Sequence, residues 1–292
     1  MKRPPTPAGR VRAAPARCAA LASLALLGLA RLAPAPVRAA EPPVVVVTTS
    51  LIAAAVHDLA GDTVTVQTLM PAGTCPGQFD LEPGQVRQTR AAVLVIRHDL
   101  QGFLDARFAA AGVAPGAVIA PSFGGPLTIP ENYARFCTAV AEALARRLPA
   151  LAAPVRDRAA AIRAREAALA GQLRREAAPL AGTPVVAAAY QADFLRWLGL
   201  RVVATLPPDD DLPPQVLRAA VAGGHDQGAV LVVGNLQNGR RVPAAVADAV
   251  GVPVVMLSNF PPTDAAGAYD ALLRANLQAL RDARAAPPSP RP

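Results

Sequence analysis

The sequence predicts an α/β protein of two similar lobes, each built on a parallel sheet, joined by one long connecting helix. Short valine-rich runs alternate with helix-period segments over 43–122, and the same alternation returns over 183–284. Strands that are apolar on both faces belong to parallel sheets covered by helices on both sides. Between the two sets, about 131–179 reads as helix throughout, rich in Ala, Arg, Glu and Leu. Its run PVRDRAAAIRAREAALAGQLRREAA has no internal proline and a single glycine. At about 1.5 Å per residue, those roughly 25 residues would reach about 35 Å, the breadth of a lobe.

The chain opens with a basic stretch holding Lys2, Arg3, Arg10, Arg12 and Arg17, then the thirteen-residue apolar run CAALASLALLGLA, then small residues ending VRA. That order is the grammar of a secretory signal peptide over 1–39, with cleavage after Ala39, and the run is shorter than the roughly 20 residues a membrane span needs. The segment holds seven of the 29 basic residues and none of the 21 acidic ones, so the mature chain keeps 22 basic against 21 acidic, a net charge near +1. The basic excess therefore belongs to targeting. With 4% aromatics there is no basic-aromatic surface for nucleic acid, and 52% hydrophobic residues are ample for a large core.

The N-terminal lobe is expected over 40–130. VVVVTTS (44–50) leads into LIAAAVHDLAG, VTVQTLM (64–70) into the loop PAGTCPGQFDLEP and the helix-like PGQVRQTRAA, VLVIRHD (93–99) into LQGFLDARFAAAG, and GAVIAPS (116–122) closes the set. The helical connector follows over 131–182, punctuated by Pro149 and Pro154, the latter able to sit in a first helical turn. The C-terminal lobe, 183–283, has strands TPVVAAA, RVVATL, GAVLVVGN and VPVVMLSN, with helices at QADFLRWLG and near 213–223, 241–250 and 266–284. Residues 284–292 read as a flexible tail. After cleavage two cysteines remain, Cys75 and Cys137; an exported protein permits a disulfide between them, and spacing alone leaves the pairing open.

Ligands of open α/β sheets lie outside the carboxyl ends of the strands. The residues there include Thr48 to Ser50, the loop 71–83, Arg97 to Asp99, Tyr190 and Gln191, Asn235 to Asn238, and Ser258 to Pro261. No Gly-x-Ser-x-Gly elbow, phosphate-cradling glycine loop or His-Glu-x-x-His helix occurs, and no nucleophile, base and orienting group fall together, so an enzyme is not expected. His57 falls within a helix and His225 in a Gly-flanked turn, whereas His98 ends a strand between Arg97 and Asp99. The run Asp209 to Asp211 reads as a solvated loop with a helix cap.

Five segments carry a resemblance: VVVVTTSLIAAAVHDLAGDTVTVQTLMPAGTCPGQFDLEPGQVRQTRAAVLVI, IPENYARFCTAVAEAL, FLRWLGLRVVATL, GAVLVVGNLQNGRRVPAAVADAVGVPVVML and AYDALLRANLQALRDA. In order and spacing they resemble the solute-binding proteins of metal-uptake ABC importers of the zinc and manganese type, over about 43–283. The resemblance implies two lobes on one stiff helix that move little on binding, and a divalent metal ion such as zinc or manganese held between them as cargo. It further implies a monomeric, periplasmic or otherwise extracytoplasmic protein that hands this cargo to an ABC-importer permease. The family's ligand positions are altered here. Gln78 stands where a loop histidine is usual, GGPLTIP replaces the segment that carries the second, the third falls near Tyr190 and Gln191, and the fourth, usually aspartate, at Ser258 or Asn259. Neutral amides are poor zinc donors, and Cys75 beside Asp80 would make a softer site. The candidate metal-site residues are thus Cys75, Gln78, Asp80, Gln191 and Asn259, with His98 added from its strand-end position. Arg97 with His98 leaves open an anionic or chelated solute, and a non-binding accessory protein of the same fold is the further alternative.

Overall fold

A computed structural model describes residues 1, 41–70, 82–208 and 212–285. The predicted signal peptide beyond Met1, most of the loop 71–83 with Cys75, Gln78 and Asp80, the Asp209 to Asp211 run and all of the predicted tail except 284 and 285 lie outside the described residues.

Both predicted sheets form. Strands β1 (Val44–Val47), β2 (Thr65–Thr68), β3 (Leu94–Ile96) and β4 (Val118–Ile119) pair in the order β2-β1-β3-β4, all parallel. In the second lobe β5 (Pro184–Ala188), β6 (Arg201–Leu206), β7 (Leu231–Asn235) and β8 (Val254–Leu257) repeat it as β6-β5-β7-β8. In each sheet the chain turns one way from its first strand and then the other. The switch points therefore lie beside the ends of β1 and β3, and of β5 and β7, where open sheets bind their ligands.

The helices are α1 (Ser50–Ala60), α2 (Pro83–Ala91), α3 (Asp105–Ala110), α4 (Pro130–Arg147), α5 (Ala152–Ala177), α6 (Ala189–Trp197), α7 (Pro214–Asp226), α8 (Arg241–Val250) and α9 (Ala268–Ala285). Thr49, extended, precedes α1 and ends the strand run early, because its hydroxyl turns to Ile52 N at 3.5 Å. The connector is a hairpin: α4 begins with Pro130 at its first position, breaks at Leu148 and Pro149, and returns antiparallel as α5 with Pro154 in its first turn. The 26 residues of α5 extend about 39 Å and bury Val155, Ala159, Ile162, Glu166, Leu169 and Leu173, one stripe at helical spacing.

A tie that the sequence reading did not contain comes from α9, which packs on β8 in its own lobe and also on α1 and α5. The Tyr269 ring lies flat on that of Tyr133 from α4, centroids 3.6 Å apart and 3° from parallel. Below the stack, Arg165 of α5 donates to Asp58 of α1 at 2.6 Å and to Glu166 at 3.0 Å, and stands 3.4 Å from Asp270 of α9. Asp58 also accepts from Gly267 N at 2.9 Å. One apolar core, from Val45 through Phe136 and Leu173 to Leu280, accordingly runs through both lobes, and Pro42 onward forms one compact unit. Cys137 lies in this core as a buried free thiol, so it carries no disulfide.

Candidate functional site

The carboxyl ends of the two sheets face each other across a cleft. On the N-terminal side, β3 ends in Arg97, His98 and Asp99. Gln101 fixes this turn from inside the core: fully buried, its Oε1 accepts from His98 N at 3.0 Å and from the Thr48 hydroxyl at 2.7 Å, joining the ends of β1 and β3. The half-buried His98 ring has Nε2 2.9 Å from Thr49 Oγ1, and its side chain also accepts from the Gln101 backbone N–H, so both edges of the ring are held. Loss of water around the ring pushes its pKa down to about 4 against a smaller opposing pull from Asp99, so the imidazole is neutral. Neutral imidazole is the form that binds a metal.

Arg97 is not available to a solute. It makes a two-pronged pair with Asp105, 2.7 and 2.6 Å, and its remaining nitrogen donates to the carbonyls of His98 and Asp99 at 2.8 and 3.2 Å. Its role is to brace the turn that carries His98. Asp99 is exposed and accepts from Leu100 N at 2.8 Å and from the Ser122 hydroxyl.

The C-terminal wall is made of amides. Gln191 sits in the first turn of α6, fully buried, and donates through Nε2 to Asn235 Oδ1 at 3.1 Å and Asn259 Oδ1 at 2.9 Å, while its own Oε1 has no partner. Asn259 N donates to Gln237 Oε1 at 3.0 Å, and Asn276 of α9 clamps Ser258 through N and O at 3.1 and 2.8 Å. Phe260 crosses the cleft to lie 5.7 Å from the His98 ring, and Ser50 at the start of α1 donates to Pro261 O at 2.7 Å. These two contacts join the lobes at the cleft.

Between the walls lies a cavity of about 110 Å³ lined by His98, Asp99, Thr128, Tyr190, Asn259 and Phe260, among others. The structure thus brings together His98 and Asn259 and sets Gln191 behind Asn259. Cys75, Gln78 and Asp80 fall outside the described residues, and among those described no three His, Cys, Asp or Glu side chains group to hold a metal. Thr128 was missed from sequence. It is 2% exposed, lines the cavity, and its hydroxyl has no partner. Its signal was its place in GGPLTIP, the segment where the resemblance puts a histidine. Phe123, in the same loop, is held by the Arg135 guanidinium 5.1 Å above its ring.

Several solved structures share the fold. The periplasmic zinc-binding protein TroA from Treponema pallidum is 19% identical, with 84% of this chain and 99% of that one covered and a TM-score of 0.72. The solute-binding protein FpvC of Pseudomonas aeruginosa, solved with Ni²⁺, is 18% identical over 83% and 97%, with a TM-score of 0.72. A Cd-bound periplasmic metal-binding protein from Candidatus Liberibacter asiaticus is 18% identical over 82% and 98%, TM-score 0.71. No curated protein matches the chain. The family described as zinc-uptake complex component A, periplasmic (ZnuA), matches residues 45–122 and 128–283. That match takes in both sheets, the connector and α9, and the chain belongs to the ZnuA family.

Proposed function

We propose that the protein captures a metal ion, zinc, manganese or similar, in the cleft between its lobes and delivers it to the permease of an ABC importer. Membership of a family of periplasmic metal-uptake components supports this reading, and that family comprises transport proteins rather than enzymes. The observation that carries it to this chain is the place of His98, an imidazole at the switch point of the first sheet that lines the cleft and faces Phe260 of the second lobe, and that would exchange one of its two hydrogen bonds, to Thr49 or to Gln101 N, for the metal. Cys75, Gln78 and Asp80 would reach the cargo from the loop after β2, and Asn259, backed by Gln191, would face it from the other side. Export rests on residues 1–39 as a cleaved leader; no helix among the described residues is long and apolar enough to cross a membrane.

The test is thermal denaturation of the mature protein with Zn²⁺, Mn²⁺, Fe²⁺, Co²⁺ and Cu⁺, beside elemental analysis of protein taken from its native compartment. An ion at a hundred times its dissociation constant adds about 2.7 kcal/mol to the folded state. Stabilisation by at least one ion, lost in His98→Ala, is expected. No shift with any of them, together with no co-purifying metal, would sink the reading.

A further inference from the structure

Where α9 is fastened to the rest of the molecule, three carboxylates surround one arginine. Arg165 donates to Asp58 Oδ2 at 2.6 Å and to Glu166 Oε1 at 3.0 Å, and Gly267 N donates to the second oxygen of Asp58 at 2.9 Å. The remaining oxygens are not provided for. Glu166 Oε2 is buried without a donor, and so is Asp270 Oδ1, which stands 3.4 Å from Arg165 Nε with no hydrogen bond to it. The Glu166 and Asp270 side chains lie in hydrogen-bond reach of each other. Two ionised carboxylates would bring only acceptors to that meeting, and like charges drawn out of water repel, so the pair ionises once and keeps one proton.

No described side chain supplies the missing donor. The hydroxyls of Tyr133 on α4 and of Tyr269 are themselves without partners, so neither donates to the pair. Burial holds both tyrosines and Cys137 of α4 well above their usual range, and they bring no charge. Arg274 of α9 acts on Asp270, and Glu131 of α4 on Tyr269, through charge alone. The side chain of Glu166 is 1% exposed against 21% for Asp270, so Glu166 is the drier partner and holds the proton.

We propose that this proton is a latch: an O–H···O bond from Glu166 of the connector to Asp270 that holds the first turns of α9 against the connector and α1, and that opens as the proton leaves for solvent. The latch goes beyond metal capture and holds whatever the cleft carries. A hydrogen bond to an ionised acceptor is roughly twice as strong as a neutral one, and its loss leaves two carboxylates facing each other. Opening wets Glu166 and returns it to 4.5, whereas closure holds it up at about 8. Between those limits the open form binds one proton fewer, so each pH unit raises the opening equilibrium about tenfold. The latch is complete below 4.5 and spent above about 8.

The experiment is hydrogen exchange read by mass spectrometry on the metal-free mature protein at pH 5.5 and 7.5, with rates corrected for the base-catalysed chemistry of free amides. Amides of Ala271 to Arg274 should exchange ahead of those in β5 and β7 at both values, and their protection should fall about a hundredfold over the two units. Glu166→Gln keeps an N–H donor for Asp270 and an oxygen for Arg165 at every pH, and should hold protection at pH 7.5 near the parent's level at 5.5. Asp270→Asn gives Glu166 a donor that favours its ionised form, and should cut the response below about tenfold. A full response in Asp270→Asn would mean that burial alone keeps the proton, and none in the parent would mean that α9 opens without wetting Glu166. Exchange in α9 no faster than in β5 and β7 would mean that the helix leaves only with the whole fold. Each of these three results overturns the latch.

Discussion

Glu166 offers the most quantitative check on the packing. It occupies the middle of the buried stripe of α5, its side chain 1% exposed, with Arg165, Asp58 and Asp270 around it and Tyr133, Tyr269 and Cys137 close by. Loss of water is the largest influence, followed by the negative charge of Asp270, and together they push the carboxyl from 4.5 to about 8 against the pull of Arg165. The folded state therefore holds a proton that the unfolded chain releases near pH 4.5. Stability linked to Glu166 is complete below that pH and is lost as pH rises through about 8. At about 1.4 kcal/mol per pH unit, the loss reaches the order of 5 kcal/mol. Glu166→Gln keeps the shape and the oxygen that accepts from Arg165, and removes the ionisation. The variant should match the parent within about 1 kcal/mol at pH 5 and exceed it by several kcal/mol at pH 8.5, as measured by urea denaturation at both values. A difference between the two proteins that does not widen from pH 5 to pH 8.5 would refute the argument.

In the metal-free protein the His98 ring resonances should stay in the neutral form from pH 7.5 down to 5, because burial holds the pKa near 4; a midpoint near 6.5 by NMR would contradict this. Cys137, whose thiol burial pushes well above its usual range, should resist alkylation in the native protein and react only after denaturation, as peptide mapping will read. Gly234 on β7 lies against its neighbours, and a methyl there would stand 2.5 Å from Met256 Sδ and 2.9 Å from Pro243 Cγ. Gly234→Ala should therefore cost about 1–3 kcal/mol in denaturant melts, and no loss would mean that Met256 has room to move.

The lobes were legible because both signals behind them are local. Valine runs between amphipathic segments dictate parallel strands under helices, and all eight strands appear where such runs occur. Six of the eight end short of their runs, β1 and β3 because Thr49 and His98 leave the ladder for side-chain hydrogen bonds, while β6 and β7 end with theirs. Gly223 and Gly224 signalled a turn at His225, yet α7 runs on to Asp226. The reason is tertiary: a Cβ on Gly224 would meet Val186 and Val250 at 3.1 Å, so the glycine serves close packing. Less of the site was legible. The position of His98 followed from the strand end, but the commitment of Arg97 to Asp105 and of Asn259 Oδ1 to Gln191 depends on partners 8 and 68 residues away. Only the folded chain brings such residues into contact. The double hold of α9 was hidden for the same cause, as its apolar stripe does not say which faces it will meet.

That double hold governs how the protein must unload. Swinging the lobes far apart would peel α9 from one of them and expose side chains such as Tyr269, Leu272, Leu273, Leu277 and Leu280 to water. At about 1.5–3 kcal/mol each, the wide-open form lies on the order of 10 kcal/mol uphill, roughly one molecule in ten million. Loading and unloading must then both pass through small local movements of the cleft walls along one reversible path, so the rate at which cargo leaves is set by the contacts that hold it and not by a swing of the lobes.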